Sequence, residues 1–328
     1  MSAQAQKPSG PLDGILVVDL TRHLPGPYAS AELLRLGARV VRLEPPEGDP
    51  LRLMAPGWHA HLNQGKESVV CDLKADPALG VALCRRADVV LEGFRPGVME
   101  RLGIGPADLP TEVVYCSIRG FDERGPWAQR AGHDVNYLGL AGVLDPERPV
   151  LPPIQIADLA AGGLTAVARI LAGLFERTST GRGSVHRVSM TDEAHRFVAF
   201  RQGEDPILPR LLDGGLACYD LYRCADGAWI SVGALEPKFF APICRILARE
   251  DLIALQFDAE AQPELRRTLA EAFASQPRQA WLDVLEGEDT CVAPVLSLAE
   301  SVAGSSPPPA QPELGGDTRR WEESLELA

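Results

Sequence analysis

Aromatic side chains make up only 6% of the 328-residue chain, so ring stacking is not expected to dominate ligand recognition. A basic excess is also missing: 32 Lys and Arg face 45 Asp and Glu, for a net charge of −13 and a pI near 5.0. That balance excludes a broad nucleic-acid surface, and an anionic ligand would need locally clustered Arg and Lys. Seven cysteines (Cys71, Cys84, Cys116, Cys218, Cys224, Cys244 and Cys291) are scattered without a CxxC pair. An odd count without metal-like spacing points to reduced thiols, not to a disulfide framework or a metal site. The first ten residues hold no apolar run, which argues against a secretory leader, and no run of about 18 apolar residues suggests a membrane span. The fingerprint GxGxxG is absent where the first apolar run ends, in Leu24-Pro25-Gly26-Pro27, so a nicotinamide site has little support. The expectation is a cytoplasmic protein with neither a nucleic-acid nor a membrane partner.

Hydrophobic content of 45% and charged content of 23% are ordinary for a globular chain. The length is enough for a large core and two domains. Up to about residue 130, short β-rich runs alternate with helical stretches. Ile15–Leu20, Arg39–Leu43, Ser68–Asp72, Asp88–Leu91 and Glu112–Ile118 read as strands. A helix opens at Pro27 and stops before Gly37, the usual placement of Pro and Gly at helix ends. This pattern predicts an α/β protein with a parallel sheet, crossover helices and a ligand site at the strands' carboxyl ends. Residues 158–177 form the strongest apolar helix, and Ser184–Met190 a further strand. The predicted organisation is a large domain over 1–202, a linker over 203–218, a smaller α/β domain over 219–300, and a strap over 301–328 returning to the large domain.

Three segments carry candidate acid–base groups. His133 lies in Gly-His-Asp-x-Asn-Tyr, Asp158 opens the apolar helix, and Glu236 follows the strand Trp229–Val232 just before Pro237. Each has a simpler explanation. Asp is a preferred N-cap, worth about 1 kcal/mol, and the helix dipole there would keep it ionised at neutral pH. Glu236 is an ordinary first-turn carboxylate. An imidazole, by contrast, accepts a proton near neutrality without a large penalty. One imidazole and two carboxylates together suit moving a proton off carbon and back. Arg42, Lys66, Arg95 and Arg101 sit at or just after strand ends and are the candidate anion donors. Any one of them alone is better read as a solvated surface charge.

Several blocks occur in a fixed order: Leu36-Gly37-Ala38-Arg39-Val40-Val41-Arg42-Leu43-Glu44, Asn63-Gln64-Gly65-Lys66-Glu67-Ser68, Glu92-Gly93-Phe94-Arg95-Pro96-Gly97, Gln155-Ile156-Ala157-Asp158 and Ser231-Val232-Gly233-Ala234-Leu235-Glu236. From about Pro11 to Leu298 the chain resembles the family III CoA-transferases, and within them the α-methylacyl-CoA racemase branch. The resemblance implies a Rossmann-like large domain, a smaller α/β domain and an interlocked homodimer. It also implies an acyl-CoA thioester substrate, with coenzyme A entering as part of that substrate and no separate cofactor or metal. Arg42 and Arg95 would hold coenzyme phosphates, with Lys66, Arg101, Asp134 and Tyr137 as further contacts. His133, relayed by Glu236, and Asp158 would exchange the α-proton of a 2-methylacyl-CoA through an enolate, Glu236 coming from the partner subunit. His23, beside the Pro25-Gly26-Pro27 turn, is expected only to line the pocket.

Two other activities fit the same resemblance. In a family transferase, Asp158 would be acylated, and a glycine-rich loop in the small domain would shield the adduct. No such run occurs between 214 and 240. The third is a CoA-thioester-binding homologue without turnover, suggested by two departures. Small residues replace some of the family's glycines in Leu159-Ala160-Ala161-Gly162-Gly163, which predicts a stiffer helix. The chain also looks shortened between Ala303 and Gly316.

Overall fold

Six short runs of β-branched and other apolar residues form one parallel sheet: β1 (Leu16–Asp19), β2 (Arg39–Glu44), β3 (Glu67–Val70), β4 (Val89–Glu92), β5 (Val114–Arg119) and β6 (Val185–Ser189). They are seen in a computed structural model that describes residues 10–202, 211–301 and 310–327. The strand order is β3-β2-β1-β4-β5-β6, and every pairing is parallel. Successive side chains of a strand face opposite sides of its sheet, and here both sides are buried. Val17 and Val40 therefore enter one apolar cluster with Leu33, Leu138 and Ile170. Their neighbours Val18 and Val41 enter the other, with Leu83, Tyr115 and Trp321.

The crossovers are helical. They comprise α1 (Pro25–Arg35), α2 (Leu51–Met54), α3 (Pro56–Asn63), α4 (Ala78–Arg86), α5 (Val98–Arg101), α6 (Asp134–Leu140) and α7 (Thr165–Thr180), while α8 (Met190–Val198) follows β6. Strand order reverses direction between β1 and β4, which sends crossovers to both faces and opens a crevice at the strands' carboxyl ends.

The apolar helix expected from residue 158 begins earlier and is wider. Ala157–Leu164 forms a π-helical turn that runs straight into α7. Ile156, already in helical geometry, holds the N-cap position, and Asp158 makes no capping bond. The cap reading of Asp158 is therefore corrected: the carboxylate sits inside a widened helix, a feature frequent at functional sites. Gly162 and Gly163 allow close approach here. A Cβ on Gly163 would lie 2.7 Å from Tyr28 and 3.1 Å from the Pro25 carbonyl, and one on Gly162 would lie 2.9 Å from Met190 Sδ. Together Ala157–Thr180 is long and apolar enough to cross a membrane by composition. Yet Ala157, Ala161, Ala166 and Ile170 are fully buried in the sheet's core.

The chain divides into two compact units, Met1–Phe200 with Pro307–Ala328, and Arg201–Ser306. The second contains an antiparallel sheet in the order β7 (Tyr219–Arg223), β8 (Trp229–Gly233) and β9 (Val292–Val295). Its helices are α9 (Pro237–Ile246), α10 (Gln262–Phe273), α11 (Arg278–Leu285) and α12 (Leu298–Ser301). Tyr222, Phe240, Phe273 and Trp281 fill its core, with Trp281 edge-on to Phe273. Residues 203–210 of the expected linker and 302–309 of the expected strap lie outside the described residues. Beyond them α13 (Thr318–Ser324) lies on β3: Ser68 N–H donates to Asp317 Oδ2 at 3.0 Å, and Trp321 Nε1 to Glu67 Oε2 at 2.8 Å.

Candidate active site

The loops leaving β1, β2, β4 and β5 border a cavity of about 1050 Å³, lined wholly by residues of the first unit. A buried polar network shapes the turn after β1. Asp19 accepts from the Thr21 N–H at 2.8 Å and from the hydroxyls of Thr21 and Ser30. Lys66 Nζ donates to Ser30 Oγ and the Pro27 carbonyl, both at 2.7 Å, and to Asn63 Oδ1 at 3.0 Å. Gly26 lies so close to Thr21 that a Cβ there would clash at 2.1 Å. Beyond this turn His23 lines the cavity in a left-handed conformation, φ 66°.

His133, Tyr137 and Asp158 all line this cavity. His133 sits at the exposed N-cap position of α6, where its own N–H donates to Asn136 Oδ1 at 3.0 Å. Tyr137 fills the space left by two glycines: a Cβ on Gly120 or Gly132 would lie 2.3 or 2.8 Å from its ring. Its hydroxyl donates to the Gly132 carbonyl. Asp134 is buried behind the wall and does not line the cavity; its Oδ1 accepts from the Asp158 N–H at 2.9 Å. Burial, reinforced by the Asp134 charge, pushes the Asp158 carboxyl up to about 7. This reverses the expectation of a carboxylate held ionised by a helix end. Burial, with the Asp158 and Asp134 charges, likewise pushes the Tyr137 phenol up to about 12.

The candidate cations divide into two groups. Arg95 and Arg101 line the cavity, as do Arg22, Lys74, Arg119 and Arg130. Of the latter four, Arg119 was legible: it ends β5, and the strand-end argument applied to the other cations reaches it.

Arg42 and Lys66 are placed otherwise. Arg42 is 2% exposed, with Nη2 donating to Asp49 Oδ2 at 3.0 Å and to the Thr21 carbonyl at 3.1 Å. Its Nη1 lies 3.2 Å from Nε2 of His59, whose ring burial and the nearby Arg42 charge push down to about 4. Lys66 is 5% exposed, and burial pushes its ammonium down to about 7. Neither side chain lines the cavity. The placement differs from the expected direct phosphate contact: Arg42 pairs with Asp49, and Lys66 ties Pro27, Ser30 and Asn63 together behind the lining.

Glu236 belongs to the second unit. It occupies the exposed N-cap position of α9, and its carbonyl accepts from the N–H groups of Phe239 and Phe240. All seven cysteines are free, and only Cys291 is exposed. Among the described residues no three His, Cys, Asp or Glu side chains cluster as metal ligands.

The sequence profile of CoA-transferase family III matches residues 12–306, most of the chain. The chain belongs to this family. It is 38% identical to the human (Homo sapiens) α-methylacyl-CoA racemase over 309 residues, covering 89% of this chain and 79% of that protein. It is 31% identical to the acetyl-CoA:oxalate CoA-transferase of Acetobacter aceti, covering 90% and 83%. The crystal structure of Rv3272 from Mycobacterium tuberculosis superposes with a TM-score of 0.78 at 31% identity, covering 91% of this chain and 86% of that one. Family membership thus embraces two chemistries, racemisation and CoA transfer, built on one α/β fold.

Proposed function

We propose that this family III protein interconverts the (R) and (S) forms of a 2-methylacyl-CoA thioester. The reading is carried by one observation: His133 and Asp158 line the same cavity, and the Asp158 carboxyl is pushed up to about 7. Such a carboxyl is protonated and ionised in comparable amounts near neutrality, as suits a group that gives a proton in one direction and takes one in the other. The similarity to human α-methylacyl-CoA racemase supports the same reading.

In one direction His133 removes the α-proton, the electron pair moves into the thioester enolate, and protonated Asp158 delivers a proton to the opposite face. In the other direction ionised Asp158 is the base and protonated His133 the acid. Arg95 and Arg101 hold coenzyme phosphates, and binding of that remote part fixes the α-carbon between the two groups. Tyr137 completes the wall, and Asp134, buried behind it, fixes the Asp158 backbone and acts through its charge. Glu236 assists His133 from the second chain of a homodimer. No metal or separate cofactor enters.

The similarity to acetyl-CoA:oxalate CoA-transferase keeps a second reading, in which Asp158 is the acyl acceptor. Incubation of a single 2-methylacyl-CoA enantiomer in D₂O, with no acceptor acid, separates the two. The racemase reading expects loss of optical purity and one deuterium at the α-carbon. No exchange without an acceptor, together with a hydroxylamine-trapped hydroxamate on Asp158, would establish the transferase instead.

A further inference from the structure

Glu92 ends β4 beside the point where strand order reverses, and its side chain is fully buried. One oxygen, Oε2, accepts from the Phe94 N–H at 2.7 Å. That bond anchors the turn carrying Gly93, Phe94, Arg95 and Pro96, all of which line the cavity. The other oxygen, Oε1, lies 3.4 Å from Arg119 Nη2. Arg119 is itself on the cavity wall, its Nη1 held at 2.6 Å by Glu123 Oε2. Its Nε is buried and lacks a hydrogen-bond partner. The long contact to Glu92 and the unpartnered Nε leave this guanidinium with donor capacity unused, in a cavity otherwise rich in Arg.

We propose that Glu92 is a positioning residue for an anionic ligand: it fixes the Arg95 turn through the Phe94 N–H and shares Arg119 with the cavity, yielding the guanidinium when an anion binds. The inference rests on the coenzyme reading above for the identity of that anion, a phosphate of coenzyme A.

The groups facing Glu92 give the exchange a measurable consequence. Burial pushes the Glu92 carboxyl up to about 7, against the opposing pull of the Phe94 N–H and Arg119. Glu100 on α5 and Tyr115 and Cys116 on β5 are the other titratable groups coupled to it. Among the described residues, Arg119 is the cation that favours the charged form of Glu92. An anion that draws Arg119 away leaves a buried carboxylate without its cation, and Glu92 then takes a proton from solvent. Ligand binding and Glu92 protonation therefore favour each other, and affinity falls as pH rises across neutrality.

The test is calorimetric titration of coenzyme A into the intact protein at several pH values, in buffers of different ionisation heat. In the wild type, affinity should weaken with rising pH by up to about tenfold per pH unit, the limit for one proton, with proton uptake on binding. Glu92→Gln keeps an acceptor for the Phe94 N–H but should lose most of that slope and uptake. The coenzyme's own ionisation is common to both proteins and cancels in the comparison. Arg119→Gln, which leaves Glu92 in place, should lose the same slope, and serves as the test if Glu92→Gln does not fold. A residue of merely structural importance would change Tm and leave proton uptake as it was. Coenzyme binding with wild-type slope and uptake in either folded variant overturns this inference alone. Failure of the wild type to bind coenzyme A overturns the coenzyme reading, and this inference with it.

Discussion

Asp158 and Arg42 show how far a single side chain can depart from its sequence context. Asp158 looks like a helix cap, yet it lies in the first turn past the N-cap position, where burial, reinforced by a second carboxylate, pushes it up to about 7. No short-range pattern shows that Asp134 will lie behind it, because the pair joins residues 24 apart. Replacing Asp134 by Asn removes the like charge while keeping an acceptor for the Asp158 N–H. The Asp158 carboxyl should then titrate lower, but still above an ordinary Asp, since burial is the larger cause. For the enantiomer that Asp158 deprotonates, the acid limb of kcat/KM should therefore move to lower pH; an unmoved limb would detach that limb from Asp158. Arg42 resembles a ligand-binding strand-end arginine, but its guanidinium is fully buried on Asp49. Arg42→Ala leaves that carboxylate uncompensated and should cost about 3–5 kcal/mol in denaturant unfolding. A stable variant with a raised KM would instead restore Arg42 to the phosphate site.

At the scale of elements, the strands were legible because their residues alternate between two buried faces, as Val17 and Val18 do. The predicted runs fall within a few residues of all six parallel strands, and Pro and Gly marked the ends of α1. In the second unit only β8 was read. β9 alternates partly buried and exposed residues over four positions, and β7 buries only Tyr222, too weak a pattern to stand out. The π-helical turn was not legible either, since it depends on what packs against it. Gly163 is the residue whose missing Cβ lets the turn approach the Pro25 carbonyl. Gly163→Ala would place a methyl 3.1 Å from that backbone oxygen and 2.7 Å from the Tyr28 ring. Overpacking of this kind costs about 1–3 kcal/mol, and the displaced turn carries Asp158. Thermal unfolding should report a lower Tm together with a lower kcat. An unchanged kcat would show that Asp158 does not depend on this packing.

For the whole molecule, five residues drawn from the family resemblance, His133, Tyr137, Asp158, Arg95 and Arg101, line one cavity. Arg42 and Lys66, drawn from the same blocks, lie outside that lining, because a resemblance does not say what a side chain touches. Glu236 belongs to the other unit, so its proposed role with His133 depends on assembly. In an interlocked homodimer, a mixed dimer of Glu236→Ala and His133→Ala contains one site with both groups intact. Purified with two different tags, it should regain up to about half of wild-type turnover if the sites act independently. No recovery above either parent would place both groups within a single chain.

The central claim is that His133 and Asp158 serve opposite faces of one α-carbon. Its most direct test is α-deuterium exchange from each pure 2-methylacyl-CoA enantiomer in D₂O, using His133→Ala and Asp158→Asn. Each variant retains the base for one face only. It should stop interconverting enantiomers yet still exchange one of them with retention, and the exchanged enantiomer should be opposite in the two variants. Equal residual exchange from both enantiomers in both variants would contradict the two-base account.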